Sequence, residues 1–382
     1  MENKFDVAII GGGMSGIILA INLKRQGINA CIFEAKDRIG KKILASGNGK
    51  CNILNTNLDL SNYNNDFPKY ALDNFGYSYQ KDFYKSLGII LKEDSEGRVY
   101  PYSESANTVL NSFLEELNKL NTAVFVNTKI ENIDYKGGEY ILSDGNKTYK
   151  SKIVVLSSGS NASFGINSHS LFAKFGHKCT ALEQSLVPIK SNALKGCNGV
   201  RSKAMASLYI NNKLVFSEKG ELLFKDNAIS GILAFKISAY IARAIVSKKP
   251  FDAVVEIDFI PDYTEDEIND FIDNSALAHP LTGLLHKAIA LNFEDSDNQA
   301  YDIKHYRCKV NGLMGLDNAQ VLSGGLDVKD FDDKTMESKL QKGLYATGEV
   351  LDVDGQCGGY NLSFACASAL VAFKDICTKL CK

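Results

Sequence analysis

The 382-residue sequence lacks three features that would assign it to particular classes of protein. It has no apolar run long enough to cross a membrane as a helix, so we expect no membrane-spanning segment. Its nine cysteines include no Cys-x-x-Cys pair, which argues against a disulfide framework, a zinc site and a dithiol redox motif. The formal net charge of −2 does not favour a dedicated nucleic-acid binder, although a local basic patch leaves RNA open as a partner.

The start of the chain also shows no pattern typical of a signal peptide, because MENK leads directly into a short apolar strand. The five histidines show no spacing typical of metal ligands, so no metal is expected. The composition is ordinary, with 45% hydrophobic and 23% charged residues. Together these observations predict a cytoplasmic protein with reduced cysteines, either a monomer or a small homo-oligomer.

A dinucleotide-binding fingerprint lies near the N-terminus. The apolar run FDVAII predicts a buried strand, and Gly11, Gly13 and Gly16 follow it in G-x-G-x-x-G spacing, where a helical pattern begins. The first glycine of this motif permits a tight turn, the second lets the backbone approach a pyrophosphate, and the third lets helix and strand pack closely. Glu34 ends the next predicted strand, where a carboxylate accepts hydrogen bonds from ribose hydroxyls. FAD and NAD share this fingerprint, so it does not by itself distinguish them.

The rest of the chain favours FAD. The fingerprint occurs once, so a second βαβ unit for a nicotinamide nucleotide is missing. Near the C-terminus, GLYATGEVLDVDGQCGGYN combines a strand, a turn with acidic residues and two glycines that open a helix, which suits an extended cofactor. Between about 186 and 313, short strands such as ASLYINNKLVF alternate with helical stretches and no glycine fingerprint occurs. We therefore predict an inserted domain in the middle of the chain.

Three stretches carry more specific motifs: RIGKKILASGNGKCN (38–52), GGLDVKDFDDKTMESKLQKGLYATGEVLDVDGQCGGYNLSFACAS (324–368) and GELLFKDNAISG (220–231). They resemble the YhiN/BaiN family of NAD(P)/FAD-dependent oxidoreductases, which includes aminoacetone-oxidase-like flavoproteins, over nearly the whole chain. The resemblance implies an α/β fold with a discontinuous FAD-binding Rossmann domain of the glutathione-reductase type, interrupted by a β-rich domain with a small helical insert. The expected boundaries are 1–187 and 313–382 for the FAD-binding domain, 188–260 for the β-rich domain and 261–312 for the helical insert.

The resemblance also implies which residues contact FAD. Arg38 and Lys42 would lie near the phosphates, Ile130 near the adenine, and Glu349 and Asp354 near the ribitol and the ring. The first N–H groups of the last helix would stabilise negative charge at the flavin N1–O2 edge. The full set of expected cofactor-binding residues is Gly11, Gly13, Met14, Ser15, Gly16, Glu34, Ala35, Arg38, Lys42, Ser46, Gly47, Asn48, Gly49, Cys51, Asn52, Ile130, Ser158, Gly159, Gly348, Glu349, Asp354, Gly358, Gly359, Tyr360 and Asn361.

The loop SGNGKCN, residues 46–52, is expected to wrap the flavin end of the cofactor. Its Cys51 is the predicted catalytic residue, because a thiol beside a flavin can donate a proton during reduction of a C=C bond. The alternative is that Cys51 is a small packing residue. Active-site and structural interpretations both stay open for four further residues: His169, Cys357, Tyr100 and Tyr102.

We therefore expect an FAD-dependent oxidoreductase that exchanges a hydride between flavin N5 and a small organic substrate. Two alternatives stay open: a flavin-dependent reductase of uridine in ribosomal RNA, and a flavin-binding protein without turnover. The last of these depends on departures from the family pattern. The turn SSGSNASFGINSHS lacks Gly-Asp-Gly, and KDNAISGI lacks the family's histidine and proline. NADH or NADPH is a candidate external electron donor.

Overall fold

The computed structural model describes residues 3–162, 168–192, 194–247 and 251–381. The turn SSGSNASFGINSHS, which lacks Gly-Asp-Gly, therefore falls partly outside the described residues, at 163–167. The chain divides into two compact units. One unit contains residues 1–182 and 321–382, and the other contains residues 183–320. The first unit carries the predicted cofactor-binding residues.

Within the described residues the strands are, in chain order, β1 (Lys4–Ile10), β2 (Ala30–Phe33), β3 (Leu54–Asn55), β4 (Leu91–Glu93), β5 (Arg98–Pro101), β6 (Ala123–Phe125), β7 (Asn132–Lys136), β8 (Glu139–Ser143), β9 (Thr148–Leu156), β10 (Glu183–Ser185), β11 (Ile189–Ser191), β12 (Arg201–Ile210), β13 (Lys213–Lys225), β14 (Ala228–Ser230), β15 (Ala253–Asp258), β16 (Tyr306–Leu313), β17 (Val321–Ser323) and β18 (Leu344–Ala346). The α-helices are α1 (Met14–Arg25), α2 (Lys41–Ala45), α3 (Lys69–Asn74), α4 (Tyr77–Ser86), α5 (Ala106–Lys119), α6 (Ser170–Ala173), α7 (Ile232–Val246), α8 (Glu265–Asn274), α9 (Lys287–Ala290), α10 (Gln299–Lys304) and α11 (Tyr360–Leu380).

The first unit contains a sheet whose parallel part has the strand order β6-β2-β1-β9-β18. Residues 7–10 of β1 pair with β2 on one side and with β9 on the other, and all four side chains are buried. Such continuous apolar runs are typical of parallel strands covered on both faces. β8 and β7 extend the sheet in antiparallel fashion from the first half of β9, and α1 packs against α11. This arrangement is a Rossmann-type dinucleotide-binding fold.

The second unit is built around a closed antiparallel barrel with the strand order β11-β14-β13-β12-β15-β16, in which β16 pairs back with β11. One prediction is wrong here: ASLYINNKLVF is not a single strand but spans the hairpin turn between β12 and β13. Asn211 and Asn212 have φ angles of 51° and 62°, as in a two-residue type I′ turn, whose twist matches that of the flanking strands. Because apolar residues lie on both sides of the two asparagines, the segment resembles one continuous strand in the sequence.

In the first unit the amphipathic pattern NTVLNSFLEELNKL (107–120) forms α5, and the helix predicted after the two C-terminal glycines is confirmed as α11. The stretch TAVFVNTKIENIDY (122–135) has the composition of a strand, but only its two ends, in β6 and β7, are extended. Between them Asn127 has a left-handed backbone, with φ of 51°, and its N–H donates to the carbonyl of Lys36. No helix in the described ranges is both long and apolar enough to cross a membrane.

Candidate functional site

Several predicted cofactor-binding segments begin at one edge of the parallel sheet, where β1, β2, β9 and β18 end. Gly11 follows β1, and its N–H donates to the carbonyl of Phe33 at the end of β2 at 2.8 Å. Ser157, after β9, is hydrogen-bonded to Thr347, after β18, with 2.7 Å between the hydroxyl oxygens. Ligands of open α/β sheets bind outside the carboxyl ends of the strands, so this edge is the candidate site.

The three fingerprint glycines meet different surroundings. A Cβ on Gly11, whose φ is 111°, would lie 2.5 Å from the carbonyl oxygen of Ser157, and a Cβ on Gly16 would lie 2.1 Å from the carbonyl oxygen of Gly11. The protein itself therefore excludes side chains at these two positions. A Cβ on Gly13 would meet no described protein atom closer than 3.9 Å. The glycine at this position thus leaves room at the start of α1, as a closely approaching pyrophosphate requires.

Glu34 closes the glycine turn. Its Oε2 accepts a hydrogen bond from the N–H of Gly12 at 2.9 Å, and its Oε1 accepts one from the N–H of Lys36 at 2.8 Å. A carboxylate offers about four lone-pair sites, so these two bonds leave capacity for ribose hydroxyls. Gly12 is a site residue that the motif did not single out: a Cβ there would lie 2.2 Å from Cγ2 of Ile39 and 3.1 Å from Oε2 of Glu34.

Lys42 and Glu349, predicted at the phosphates and at the ribitol, form an ion pair with 2.7 Å between Nζ and Oε2. The other carboxylate oxygen of Glu349 accepts hydrogen bonds from the hydroxyl of Ser160 and from the N–H of Leu322. Arg38, the second cation expected near the phosphates, is exposed. The structure therefore joins α2 to the turn after β18 through a charge pair, which the sequence did not predict.

The loop 46–52 is a single tight turn. Residues 47–49 all have a left-handed backbone, with φ between 54° and 82°, and Cys51 has φ of 57°. The N–H of Cys51 donates to the carbonyl of Ser46 at 3.0 Å, which closes the turn. A left-handed non-glycine residue costs roughly 1 kcal/mol or more, so the surroundings must hold this loop in place.

Cys51 is fully buried within this loop. Burial raises the pKa of its thiol to about 11, and a hydrogen bond with Ser46 acts in the opposite direction. The thiol is therefore protonated at neutral pH, and the buried hydroxyl of Tyr84 lies near it. These surroundings favour the packing interpretation, and a catalytic role for Cys51 stays a prediction.

Two asparagine side chains hold the peptide group between Gly358 and Gly359. Nδ2 of Asn55, a residue that is only 3% exposed, donates to the carbonyl oxygen of Gly358 at 2.7 Å. With its amide oriented to satisfy its neighbours, Asn52 accepts from the N–H of Gly359 at 3.2 Å and donates to two backbone carbonyls. Asn52 was predicted as a cofactor contact. Asn55 was missed, because its partner lies 303 residues further along the chain.

The same glycine pair precedes α11. Gly358 and Gly359 have φ angles of 135° and 95°, and no side chain caps the helix. The N–H groups of Asn361 and Leu362 have no acceptor in the part of the chain that the structure describes. The Asn361 side chain instead binds its own turn, donating to the carbonyl of Gly355 at 2.8 Å and accepting from its N–H at 2.9 Å. The helix terminus therefore offers donors and positive potential to a ligand.

The remaining predicted cofactor contacts surround this framework. Asp354 is buried and accepts a hydrogen bond from the hydroxyl of Ser323 at 3.3 Å. The other buried or half-buried members are Met14, Ser15, Ala35, Ile130, Ser158, Gly159, Gly348 and Tyr360. Among the residues left open by the sequence, His169 is buried, which lowers the pKa of its imidazole, and Cys357 and Tyr100 are half-buried. Tyr102 is 70% exposed, which fits a surface role.

The donor set at this edge fits FAD. The glycine turn leaves space for a pyrophosphate, Glu34 retains acceptor capacity, and the N-terminus of α11 presents N–H groups that have no acceptor among the described residues. These are the groups that an extended dinucleotide with a flavin ring requires. Across the described ranges, no group of three or more His, Cys, Asp or Glu side chains is arranged to hold a metal ion.

A family profile described as "HI0933-like protein Rossmann domain" matches residues 5–375. A 3-dehydro-bile acid delta(4,6)-reductase from Clostridium scindens is 32% identical over 96% of this chain and 97% of its own length. A ribosomal RNA dihydrouridine synthase from Escherichia coli is 26% identical over 98% of both chains. These matches span the whole described architecture rather than the fingerprint alone.

The solved structures agree on the fold. A 3-ketosteroid delta1-dehydrogenase from Sterolibacterium denitrificans matches 99% of this chain and 100% of its own, with a TM-score of 0.56. Its sequence is 11% identical to this one, so the match speaks for the fold and not for the substrate.

Proposed function

The chain belongs to the HI0933-like Rossmann-domain family of flavoprotein oxidoreductases, and on this premise we propose that this FAD-dependent enzyme reduces a C=C bond conjugated with a ketone in a small organic molecule. The observation that carries the proposal is the full-length similarity to the bile acid reductase, at 32% identity. A near-neutral charge, −2, accords with a small substrate rather than a polyanion.

The residues at the sheet edge would hold the cofactor. The N-terminus of α1 and the space at Gly13 receive the pyrophosphate, and Glu34 accepts from the ribose. The Lys42–Glu349 ion pair would lie beside the cofactor, between its phosphates and its ribitol. The N-terminus of α11 stabilises negative charge on the ring. Bound FAD supplies the hydride from its N5 atom, and NADH or NADPH is the proposed source of electrons.

Anaerobic reduction tests this proposal. Purified protein should be yellow and release FAD on denaturation, and NADH or NADPH should bleach it. Addition of a steroid 4,6-dien-3-one should then restore the oxidised spectrum, with one C=C bond of the dienone reduced for each bound FAD that is reoxidised. The Gly13→Ala variant, which is expected to bind FAD more weakly, serves as the control. Protein that binds FAD but is reoxidised by no enone would contradict the substrate class, and FAD that no substrate reoxidises would make the chain a flavin-binding protein without turnover.

Reduction of uridine in ribosomal RNA is the second candidate. The relative from Escherichia coli, a ribosomal RNA dihydrouridine synthase, covers 98% of this chain. The C5=C6 bond of uracil is also conjugated with a carbonyl group, so one site chemistry could serve both substrates. Dihydrouridine in ribosomal RNA, measured with and without the gene, distinguishes the two. Loss of the modified base on deletion, with no turnover of enones by the purified protein, would decide for RNA.

A further inference from the structure

The peptide group that joins Gly358 to Gly359 is held at both of its polar ends by side chains from a distant part of the chain. Its carbonyl oxygen accepts from Nδ2 of Asn55 at 2.7 Å. With the Asn52 amide oriented to satisfy its neighbours, the N–H of the same peptide donates to the side-chain oxygen of Asn52 at 3.2 Å. We propose that Asn52 and Asn55 are positioning residues that fix the orientation of this one peptide plane and thereby set the reduction potential of bound FAD.

The peptide needs such restraint because it lies between two glycines. Both have φ in the range that side-chain-bearing residues avoid, 135° and 95°. Packing also excludes side chains: a Cβ on Gly359 would lie 2.4 Å from the carbonyl oxygen of Leu54, and one on Gly358 would lie 3.1 Å from the ring of Tyr360. A peptide flanked by glycines meets little steric resistance to rotation, so its orientation depends on the hydrogen bonds it makes.

The two asparagines are themselves held in place. Oδ1 of Asn55 accepts from the N–H of Asn57 at 2.8 Å, so its amide is bound at both ends. Asn52 donates to the carbonyls of Leu54 and Val99, at 3.1 and 3.2 Å. Leu54 of β3 and Val99 of β5 are paired residues of one antiparallel ladder. This pairing connects the two asparagine amides, called the clamp below, to regular secondary structure. Side chains whose other hydrogen bonds are satisfied resist movement and can orient a partner group.

The connection to the potential rests on the proposed function. The clamped peptide directly precedes α11, whose N–H groups at Asn361 and Leu362 have no acceptor among the described residues. Reduction adds negative charge to the flavin ring, and a helix N-terminus favours that charge. A clamped peptide holds these donors and its own dipole in one direction. Release of the clamp should therefore weaken binding of reduced FAD more than binding of oxidised FAD, which makes the potential more negative.

The test measures the midpoint potential of bound FAD in Asn52→Ala, in Asn55→Ala and in the double variant. Each single change should weaken the binding of reduced FAD about ten-fold relative to the binding of oxidised FAD. For a two-electron couple this lowers the midpoint potential by about 30 mV. Both amides act on one peptide, so the double variant should shift no further than a single one. Asn22→Ala is the matched control, since Nδ2 of Asn22 also donates to a backbone carbonyl at 2.7 Å, within α1.

Three results would overturn the inference. The first is an unchanged midpoint potential in either single variant that folds and binds FAD. The second is a double variant whose shift equals the sum of the single shifts, which would mean that the amides act on separate groups. The third is wild-type protein that binds no FAD, which would remove the proposed function together with this inference. If one single variant does not fold, the other single variant still tests the inference, because the same shift in midpoint potential is expected for it.

Discussion

Nζ of Lys42 lies 2.7 Å from Oε2 of Glu349, although 307 residues separate the two in the chain. Lys42 belongs to α2, near the start of the sequence, and Glu349 to the turn after β18, near its end. The side chains are 30% and 16% exposed, so the pair is only partly screened by solvent. The ion pair connects the N-terminal and C-terminal segments of the chain that together form the candidate site.

This ion pair predicts coupled losses of FAD affinity. If the pair lies beside the cofactor as proposed, Lys42→Met and Glu349→Gln should each weaken FAD binding, because each change releases the partner charge from its position. A double-mutant cycle should give a coupling energy of about 0.5–1 kcal/mol, as measured for partly exposed pairs. Fluorescence titration of apoprotein with FAD provides the affinities. Strictly additive losses would mean that the two side chains contact FAD independently.

The fingerprint glycines predict two different kinds of defect. Gly13→Ala should leave the unfolding free energy of the apoprotein nearly unchanged, because the new Cβ meets no described protein atom within 3.9 Å, yet FAD affinity should fall at least about ten-fold. Gly11→Ala should destabilise the apoprotein by about 2–5 kcal/mol, because its φ is 111° and its Cβ would approach Ser157 to 2.5 Å. Urea unfolding without cofactor separates the two. Equal destabilisation by both changes would contradict this explanation.

Cys51 predicts resistance to thiol reagents. It is fully buried and its thiol is protonated, so native protein should not be alkylated at Cys51, whereas the exposed Cys179 should react. Cys51→Ala should lower the unfolding free energy by about 1 kcal/mol and retain most of the turnover. Peptide mass spectrometry after a brief iodoacetamide pulse gives the first result. A large loss of turnover with unchanged FAD binding would instead establish Cys51 as the proton donor.

Local and long-range features differ in how far the sequence predicted them. The fingerprint was predictable because Gly11, Gly13 and Gly16 act within one strand–turn–helix unit, whose spacing is visible in the sequence. The role of Asn55 was not, because it depends on a peptide group 303 residues away. The hairpin at 211–212 was also missed, since two asparagines carry a weaker turn signal than Asn-Gly.

The buried imidazole of His177 predicts a pH dependence of stability. Its Nε2 is hydrogen-bonded to the hydroxyl of Ser338 at 2.9 Å, and the ring stacks on Phe331. Burial lowers the pKa of His177 below its ordinary value of 6.5, and the carboxylate of Asp330, 3.8 Å from Nδ1, opposes this only in part. Folded protein therefore keeps His177 neutral in a range where the unfolded chain already binds a proton.

The sign of the effect follows from this difference. The contribution of His177 to stability is complete above pH 6.5 and is lost as the pH falls from there towards the lowered pKa of the folded state. One proton contributes a slope of at most about 1.4 kcal/mol per pH unit. His177→Gln keeps an acceptor for Ser338 but cannot titrate, so its unfolding free energy should fall less steeply between pH 6.5 and pH 5 than that of the wild type. His279→Gln, which removes an exposed imidazole, is the control. Equal slopes for wild type and His177→Gln in urea titrations would show that His177 is already charged in the folded protein.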